Sequence, residues 1–451
     1  MTAAAASSSS SSADPADTML SHPDIEADYL PFDAAASCWA DVAPVFQDDG
    51  PADVLCGIMY DTAYSSAMDL FRALYPQREI SPRALALTTH LVSLNPSMYS
   101  IWAYRADILI SSSTLSSSSS SSLLPSLGDR ATRLRRELQW MEDLARGNMK
   151  SYQVWQHRRL ILCAIESPSR EVLEAELDFI GSVLSRDSKN YHTWAYRQWV
   201  LAHFAGMPQE EEETSASAGS AGKLPELWQA ELPYTDKLLA QDARNNSAWN
   251  HRFFIIFGSR RGAVFGPEAI GLQLAMESRT NGWTSGDTAS AGKEEENLRQ
   301  CIESEVNYIK RSLSLIPNNA SSWTYLRGIL SLSSRPLPLS SYSLPKWIKT
   351  NLLSPFLLDA ATPLPAAGES GSSSTVCVFA LEYLLDVLQE ESEGGARGQT
   401  SGTGSRPECA GAQEEQVERL IFLLKREDPV RAQWWEVRRR EVLSVLKLGW
   451  S

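Results

Sequence analysis

Apolar residues recur along this chain at the three- and four-residue intervals typical of amphipathic helices. The clearest series is Leu173, Leu177, Ile180 and Leu184, with Pro168 shortly before it. Proline is tolerated at a helix start because the first amides of a helix have no carbonyl partner within it. The spacing therefore predicts a helix whose one apolar face must pack against another part of the protein.

A fivefold internal repeat is the most informative feature of the sequence. In each unit a short polar turn precedes a tryptophan, and in four units an arginine follows three residues later. The tryptophans are Trp102, Trp155, Trp194, Trp249 and Trp323, and the arginines are Arg105, Arg158, Arg197 and Arg252, with Leu326 and then Arg327 in the fifth unit. Residues three apart share a helix face, and turns rich in Asn or Asp suit a helix start. With the amphipathic helix upstream, each unit predicts a helical hairpin.

A single hairpin of this kind cannot bury its apolar face, so neighbouring hairpins are expected to stack. We predict an all-α fold, an α-solenoid (α-α superhelix) of stacked helical hairpins that forms a crescent. Pro233 lies in the first helix of the fourth unit and predicts a kink or a later helix start there. Towards the C-terminus we expect a last, degenerate unit, a helix pair over residues 376–389 and 416–446.

Low-complexity segments interrupt the repeats. The Ala/Ser-rich segment 1–40 is expected to be disordered, because such a composition buries too little apolar surface. The helical repeat domain is expected to span residues 46–446. Polar insertions, which we expect to be surface loops, lie near 111–126, 207–223, 278–293 and 391–413.

Composition mainly excludes classes of function. The 41 basic and 55 acidic residues give a net charge of −14, which argues against nucleic acid as a partner. The six cysteines form no CxxC pair, and the spacing of His, Cys and Asp predicts no metal site on this chain. Without a signal sequence or an apolar stretch of about eighteen residues, we expect a cytoplasmic protein that is not inserted in a membrane.

The units resemble the repeats of protein prenyltransferase α subunits, in which an Asn-Tyr-x-x-Trp segment is followed by arginine. The resemblance is most specific in the blocks Lys-Ser-Tyr-Gln-Val-Trp-Gln-His-Arg-Arg (150–159), Lys-Asn-Tyr-His-Thr-Trp-Ala-Tyr-Arg-Gln-Trp (189–199) and Asp-Ala-Arg-Asn-Asn-Ser-Ala-Trp-Asn (242–250). Asp-Asp-Gly-Pro (48–51) and Ile-Met-Tyr-Asp (58–61) resemble the opening segment of the α subunit that farnesyltransferase and geranylgeranyltransferase type I share. Apart from the insertions, the resemblance covers most of the chain.

This resemblance implies one subunit of an obligate heterodimer. In the family, a β subunit completes the active site, and the pair transfers farnesyl or geranylgeranyl from its diphosphate to the cysteine of a C-terminal CaaX sequence. The β subunit holds the zinc, and magnesium accompanies the diphosphate in the farnesyl enzyme, so no cofactor is expected on this chain alone. The partners implied are the β subunit, the prenyl diphosphate and CaaX-terminated proteins.

Five residues match functional positions of the family. Lys150 matches the catalytic lysine that reaches the diphosphate near the reacting carbon. Gln153 matches the glutamine that binds the terminal carboxylate of the peptide, and Tyr152 matches a tyrosine lining the cavity between the subunits. Tyr191 and His192 match residues near the diphosphate end of the site.

The residues by themselves support plainer interpretations. Without the resemblance, Lys150 would be a solvated lysine at a helix start. The repeated tryptophans are expected in the core, Arg105, Arg197 and Arg252 are expected to pair with carboxylates or loop carbonyls, and His157 and His251 are expected to be structural. Ser151 stands where the family usually has asparagine, which is expected to alter the local helix cap.

Two other functions stay open at this point. The α subunit of Rab geranylgeranyltransferase is built from the same repeats, and a non-catalytic helical scaffold of the tetratricopeptide type would share the hairpins. The segment 48–51 and the block 150–155 favour the CaaX enzymes. The identity of the prenyl group would be decided by the β subunit.

Overall fold

The computed structural model describes residues 32–48, 50, 59–111, 129–165, 167–205, 224–258, 288–332, 336–353, 376–398 and 408–448. These residues form helices joined by turns, and none of them belongs to a β-strand. The chain divides into two compact units, residues 1–197 and 198–451.

Among the described residues, six α-helices lie wholly in the first unit, and a seventh runs past its end. They are α1 Thr62–Leu74, α2 Pro82–Leu94, α3 Tyr99–Ile110, α4 Arg130–Gly147, α5 Tyr152–Ala164, α6 Arg170–Arg186 and α7 Tyr191–Phe204. The turns at 95–98, 148–151 and 187–190 connect α2 to α3, α4 to α5 and α6 to α7. These are the first three predicted hairpins, and within this unit α3 also packs against α4 and α5.

The second unit contains the remaining helices of the described part of the chain. They are α8 Pro225–Gln241, α9 Asn246–Phe253, α10 Thr288–Leu315, α11 Ala320–Leu330, α12 Leu344–Asn351, α13 Val378–Gly398, α14 Glu408–Glu427 and α15 Ala432–Leu448. A π-helical turn, Phe254–Gly258, extends α9. Turns at 242–245 and 316–319 close the fourth and fifth hairpins, and α13, α14 and α15 pack against one another.

Each repeat tryptophan is buried and closes the hairpin turn before it. Its indole Nε1 donates a hydrogen bond to the backbone carbonyl six residues earlier, at 2.8–2.9 Å. The acceptors are the carbonyls of Pro96, Met149, Ser188, Ala243 and Pro317. The ring thus contributes apolar packing while its one polar group is satisfied. The prediction that the tryptophans pack in the core is confirmed.

Buried ion pairs join consecutive repeats. The arginine after the tryptophan reaches a glutamate on the first helix of the following repeat through two N–H···O contacts of 2.6–2.8 Å. These pairs are Arg105–Glu137, Arg158–Glu176 and Arg252–Glu305. Arg197 donates to the carbonyl of Leu177 at 2.9 Å. The expectation that Arg105, Arg197 and Arg252 pair with carboxylates or carbonyls is confirmed.

His157 and His251 are structural, as predicted. Both are buried, with Nε2 2.9 Å from Glu137 and 2.6 Å from Glu231 respectively. Burial lowers the pKa of His157, despite the opposing effect of the Glu137 carboxylate. A neutral ring donating through Nε2 suits this place, because it avoids a buried charge.

Acid is expected to weaken the first unit through the buried cluster of Arg105, Glu137 and His157. Burial alone would raise the pKa of Glu137, but Arg105 and His157 outweigh it and hold the pKa at about 2 instead of the usual 4.5. Since the folded-state pKa is the lower one, the stabilisation is complete above pH 4.5 and is lost as the pH falls towards 2. We expect a loss of about 3 kcal/mol over this range. Urea unfolding at pH 7 to 3 should show a steeper decline for the wild type than for Glu137→Gln, and parallel declines would contradict this.

Pro233 does not delay the helix that contains it. The helix α8 begins at Pro225 and continues through Pro233 to Gln241, so the predicted later start is wrong, and the other alternative, a kink at Pro233, stays a prediction. Trp228 before the proline and Leu239 after it are both buried. We infer that their burial offsets the cost of about 3 kcal/mol that an internal proline imposes.

The N-terminal prediction of disorder over residues 1–40 is wrong for 32–40. Trp39 is buried, and its Nε1 donates to the carbonyl of Asp33 at 3.0 Å. Arg83 of α2 donates to the Cys38 carbonyl and to the Asp41 carboxylate, which holds this segment against the helix. Residues 1–31 lie outside the described residues, as do residues 49, 51 and 58 of the opening segments 48–51 and 58–61.

Helices extend into two of the predicted loops. The helix α10 starts at Thr288, α13 continues to Gly398 and α14 begins at Glu408, so the loop prediction is wrong for 288–293, 391–398 and 408–413. The remainder of the four insertions, apart from Ser111, lies outside the described residues. The predicted helix over 416–446 is in fact two helices, because Pro429 lacks the amide needed to continue α14.

Candidate functional site at the hairpin turns

Lys150 lies in the turn 148–151 between α4 and α5, and its side chain is exposed. The backbone immediately before it is held by two hydrogen bonds. The carbonyl oxygen of Met149 accepts one from the Trp155 indole, at 2.8 Å, and one from Nδ2 of Asn190 in the next hairpin turn, at 3.3 Å. The position of the lysine backbone is therefore defined by two repeats, while its long side chain extends towards solvent.

Three of the predicted site residues form a cluster of rings across two adjacent hairpins. Tyr152 is the first residue of α5 and Tyr191 the first of α7, and they are 69% and 66% exposed. The half-buried His192 ring packs edge-on against Tyr152, with centroids 4.2 Å apart, and lies 5.6 Å from Tyr191. Such contacts add about 0.5–1.5 kcal/mol each beyond burial. The cluster therefore gives an aromatic surface to the end of the hairpins at which their second helices begin. We call this end, with Lys150, Tyr152, Gln153, Tyr191 and His192, the edge.

Gln153 follows Tyr152 on α5 and is partly exposed. Its amide oxygen accepts a hydrogen bond from the hydroxyl of Ser151 at 3.2 Å. With the oxygen engaged, the amide NH2 group offers its two donors to an acceptor such as a carboxylate. Ser151 makes no side-chain cap to α5. In the fourth and fifth hairpins, Asn245 and Asn319 do cap their helices.

The charge of this edge comes from lysine. Partial burial lowers the pKa of His192 below its usual value near 6.5, so the ring is neutral at pH 7. A neutral imidazole offers one donor and one acceptor. The exposed ammonium of Lys150, the Gln153 amide and the rings can together bind an anion next to an apolar group.

Sequence reasoning missed Tyr99. This residue begins α3 and is 73% exposed, and it stands three residues before Trp102, as Tyr152 stands before Trp155. The repeat register could have identified it, since the first three units all place tyrosine at this position. The tyrosine edge therefore begins one repeat earlier than the residues inferred from the resemblance.

Among the described residues, no group of three or more His, Cys, Asp and Glu side chains is arranged to hold a metal ion. Nor does any helix in the described ranges combine the length and apolar character needed to cross a membrane.

Comparison with known proteins identifies the repeats. The family model described as "Protein prenyltransferase alpha subunit repeat" matches residues 81–111, 134–165, 173–204, 228–258 and 302–333, and each match contains one of the five repeat tryptophans. The α subunit of protein farnesyltransferase/geranylgeranyltransferase type-1 from Solanum lycopersicum is 30% identical over 404 residues, which cover 90% of this chain and 89% of that subunit. The chain belongs to the protein prenyltransferase α-subunit family.

Other members of the prenyltransferase α-subunit family match over shorter lengths. The subunit of the same name from Pisum sativum is 30% identical over 291 residues, 64% of this chain, and the match spans only 65% of the pea subunit. The geranylgeranyl transferase type-2 α subunit of Rattus norvegicus is 25% identical over 252 residues, 56% of this chain and 34% of that subunit.

A solved prenyltransferase structure has the same fold. It is that of "Candida albicans protein geranylgeranyltransferase-I complexed with GGPP", with a TM-score of 0.57 and 25% identity, covering 91% of this chain and 100% of that one. The predicted family and the predicted α-solenoid fold class are both confirmed.

Proposed function

We propose that this chain is the α subunit of a heterodimeric CaaX protein prenyltransferase. Together with a β subunit, it contributes to the transfer of farnesyl or geranylgeranyl from its diphosphate to the cysteine thiol of a C-terminal CaaX sequence. The main support is the turn at Lys150, where an exposed ammonium stands on a backbone held by two hydrogen bonds. The tomato and pea relatives, which bear the name of the farnesyl and type-1 geranylgeranyl enzymes, add to it.

Each exposed residue of the edge has a role in this proposal. Lys150 neutralises the charge that builds on the diphosphate as the thiolate attacks, an interaction that matters most in the transition state. Gln153 donates its amide N–H groups to the terminal carboxylate of the peptide. Tyr152, Tyr191 and His192 line the cavity that the β subunit closes. The β subunit holds zinc, magnesium accompanies the diphosphate in a farnesyl enzyme, and the heterodimer acts in the cytoplasm.

The α subunit of Rab geranylgeranyltransferase is the second candidate. The 25% identity to the rat type-2 subunit over 252 residues favours it. The match covers only 34% of the rat subunit, however, against 89% of the tomato subunit. We therefore place the CaaX function first.

Co-expression with candidate β subunits tests the proposed function. We expect a stable heterodimer containing zinc that transfers a labelled isoprenoid to a CaaX peptide and leaves a Rab–escort protein complex unmodified. The same peptide with serine in place of cysteine, and this chain without a β subunit, should give no product. Modification of the Rab complex alone would assign the chain to the type-2 enzyme, and transfer by the unaccompanied chain would contradict the subunit proposal.

A further inference from the structure

A small cavity lies between the first helices of the fourth and fifth hairpins, α8 and α10. Its volume is about 230 Å³, and the buried ring of Trp249 forms part of its lining. One wall comes from α8 and the turn that follows it, and the opposite wall comes from α10. The wall residues are Leu239, Ala240 and Ala243 on the first side and Tyr308, Arg311 and Leu315 on the second.

Hydrogen bonds join the two walls at both ends of the cavity. The Tyr308 hydroxyl donates to the carboxylate of Asp236 at 2.8 Å. Nδ2 of Asn319, in the turn after α10, donates to the carbonyl of Ala243 at 2.6 Å, and the Trp249 indole donates to the same carbonyl at 2.9 Å. The two helices cannot close over the space without breaking these bonds. The cavity is therefore formed before any partner binds, as binding sites usually are.

The size of the cavity favours one side chain of another protein. Sites for small molecules usually measure about 300–1,000 Å³, so this cavity is smaller than most of them. In protein interfaces, a large side chain that fills a well-packed pocket commonly supplies much of the binding energy. The lining by leucine, alanine and aromatic rings suits an apolar or aromatic side chain.

Leu315 extends the apolar lining to the surface. Its side chain is 83% exposed, whereas Leu239 on the opposite wall is buried. Because Leu315 follows Arg311 by four residues, both lie on the same face of α10. Covering this leucine would remove apolar surface from water, and permanent interfaces are more apolar than transient ones. The surface therefore favours a partner that stays bound over a substrate that binds and leaves.

Arg311 determines the charge that the partner should carry. Its guanidinium is exposed and lies 5.8 Å from the centre of the Tyr308 ring, and it forms no ion pair with a carboxylate of the described residues. The nearby carboxylate of Asp236 already accepts hydrogen bonds from Arg252 at 2.7 Å and from Tyr308. An acidic residue of the partner would supply the counter-charge that Arg311 lacks.

We propose that this cavity, with Leu315 and Arg311, is an anchoring site for the β subunit. A large apolar side chain of the β subunit fills the cavity and covers Leu315, and a carboxylate beside that side chain pairs with Arg311. The inference rests on the proposed function, which supplies the permanent partner.

Filling the cavity from its own wall tests the proposal. Ala240 lines the cavity and is exposed, so Ala240→Phe can occupy the space without disturbing the core. A heterodimer with a fluorescent donor and acceptor on its two subunits, mixed with excess unlabelled heterodimer, reports dissociation as a loss of energy transfer. We expect Ala240→Phe to dissociate about tenfold faster than the wild type. Ala230→Phe is the matched control, because Ala230 is also exposed on α8 but about 15 Å away along the helix axis, and it should dissociate like the wild type.

Reversing the charge of Arg311 tests the second part of the proposal. At physiological ionic strength, Arg311→Glu should raise the Kd of the heterodimer about tenfold, because it places two carboxylates side by side. The effect should be smaller at about 0.5 M salt, since the pair lies at the rim of the cavity and is screened. Arg299→Glu reverses another exposed charge of α10, about 18 Å away along the helix axis, and should leave the Kd unchanged.

Three results would overturn the inference. Ala240→Phe might dissociate no faster than Ala230→Phe, or Arg311→Glu might bind no more weakly than Arg299→Glu. In the third, the heterodimer is unchanged but Ala240→Phe lowers kcat/KM for a CaaX protein and not for a short CaaX peptide, which would assign the cavity to the protein substrate. In each case an active wild-type heterodimer leaves the proposed function intact. If no β subunit forms a complex with the wild-type chain, the proposed function fails together with this inference.

Discussion

Replacing Lys150 with alanine is expected to reduce the turnover number of the heterodimer at least about a hundredfold. The ammonium would no longer neutralise the diphosphate as its bond to the prenyl carbon breaks, and that charge develops only in the transition state. Substrate binding should weaken less than turnover, because the ammonium interacts most strongly with the charge that develops in the transition state. Assembly and folding should be unaffected, since the side chain is exposed and the turn is held by the Met149 carbonyl.

Single-turnover kinetics with preformed complex would measure this loss directly, without a contribution from product release. Lys150→Arg should recover part of the rate, because the charge stays while its geometry changes. Lys237→Ala removes another exposed lysine, on α8, and should retain full activity. A Lys150→Ala heterodimer that turns over like the wild type would favour the non-catalytic scaffold, and the catalytic role of this chain would have to be abandoned.

The hairpins could be predicted from the sequence because their cause is local. A polar turn followed by a tryptophan is enough to place both helices, and every repeat tryptophan does close its own turn. The partners of the arginines could not be predicted in this way. Glu137, Glu176 and Glu305 lie 32, 18 and 53 residues from their arginines, because segments of different length separate the repeats. Only the stacking of hairpins brings them together.

The wrong prediction of disorder for residues 32–40 has a related cause. The Ala/Ser-rich composition of segment 1–40 predicts disorder. One large side chain in it, that of Trp39, is nevertheless buried. The acceptor for Arg83 is a backbone carbonyl, that of Cys38, which no residue pattern reveals. Contacts of this kind depend on the folded surface of α2, and become visible only when the helix is in place.

The candidate site was predicted by resemblance, and the structure adds the geometry. Tyr152 and His192 are far apart in sequence, yet their rings meet because each stands at the start of the second helix of adjacent hairpins. Tyr99 was not predicted as a site residue, because its exposed position at the start of α3 follows from the repeat register and not from a matched motif. Comparing equivalent positions across all five units would have found Tyr99.

Replacing Glu176 with alanine is expected to lower the free energy of unfolding of the first unit by about 3–5 kcal/mol. The carboxylate accepts two hydrogen bonds from Arg158, each 2.6 Å long, and one from the Tyr196 hydroxyl at 2.7 Å. All three side chains are buried, so the variant would leave a guanidinium with no counter-charge away from water. This pair joins the helix that begins with Tyr152 to the hairpin that carries His192, so the aromatic contact of the candidate site should also loosen.

Hydrogen exchange of the α5 and α6 amides, together with the urea midpoint of the heterodimer, would measure the effect. Glu174→Ala is the matched control, because Glu174 lies on the same helix but pairs with Arg170 in solvent, where both side chains are about half exposed. Its cost should stay below about 0.5 kcal/mol. The double variant Arg158→Met/Glu176→Leu should recover most of the loss, since the penalty comes from the unpaired buried charge and not from the absence of an ion pair. Equal destabilisation by Glu176→Ala and Glu174→Ala would show that the buried pair does not hold these repeats together, and the candidate site would then owe its geometry to the turn contacts at Met149 alone.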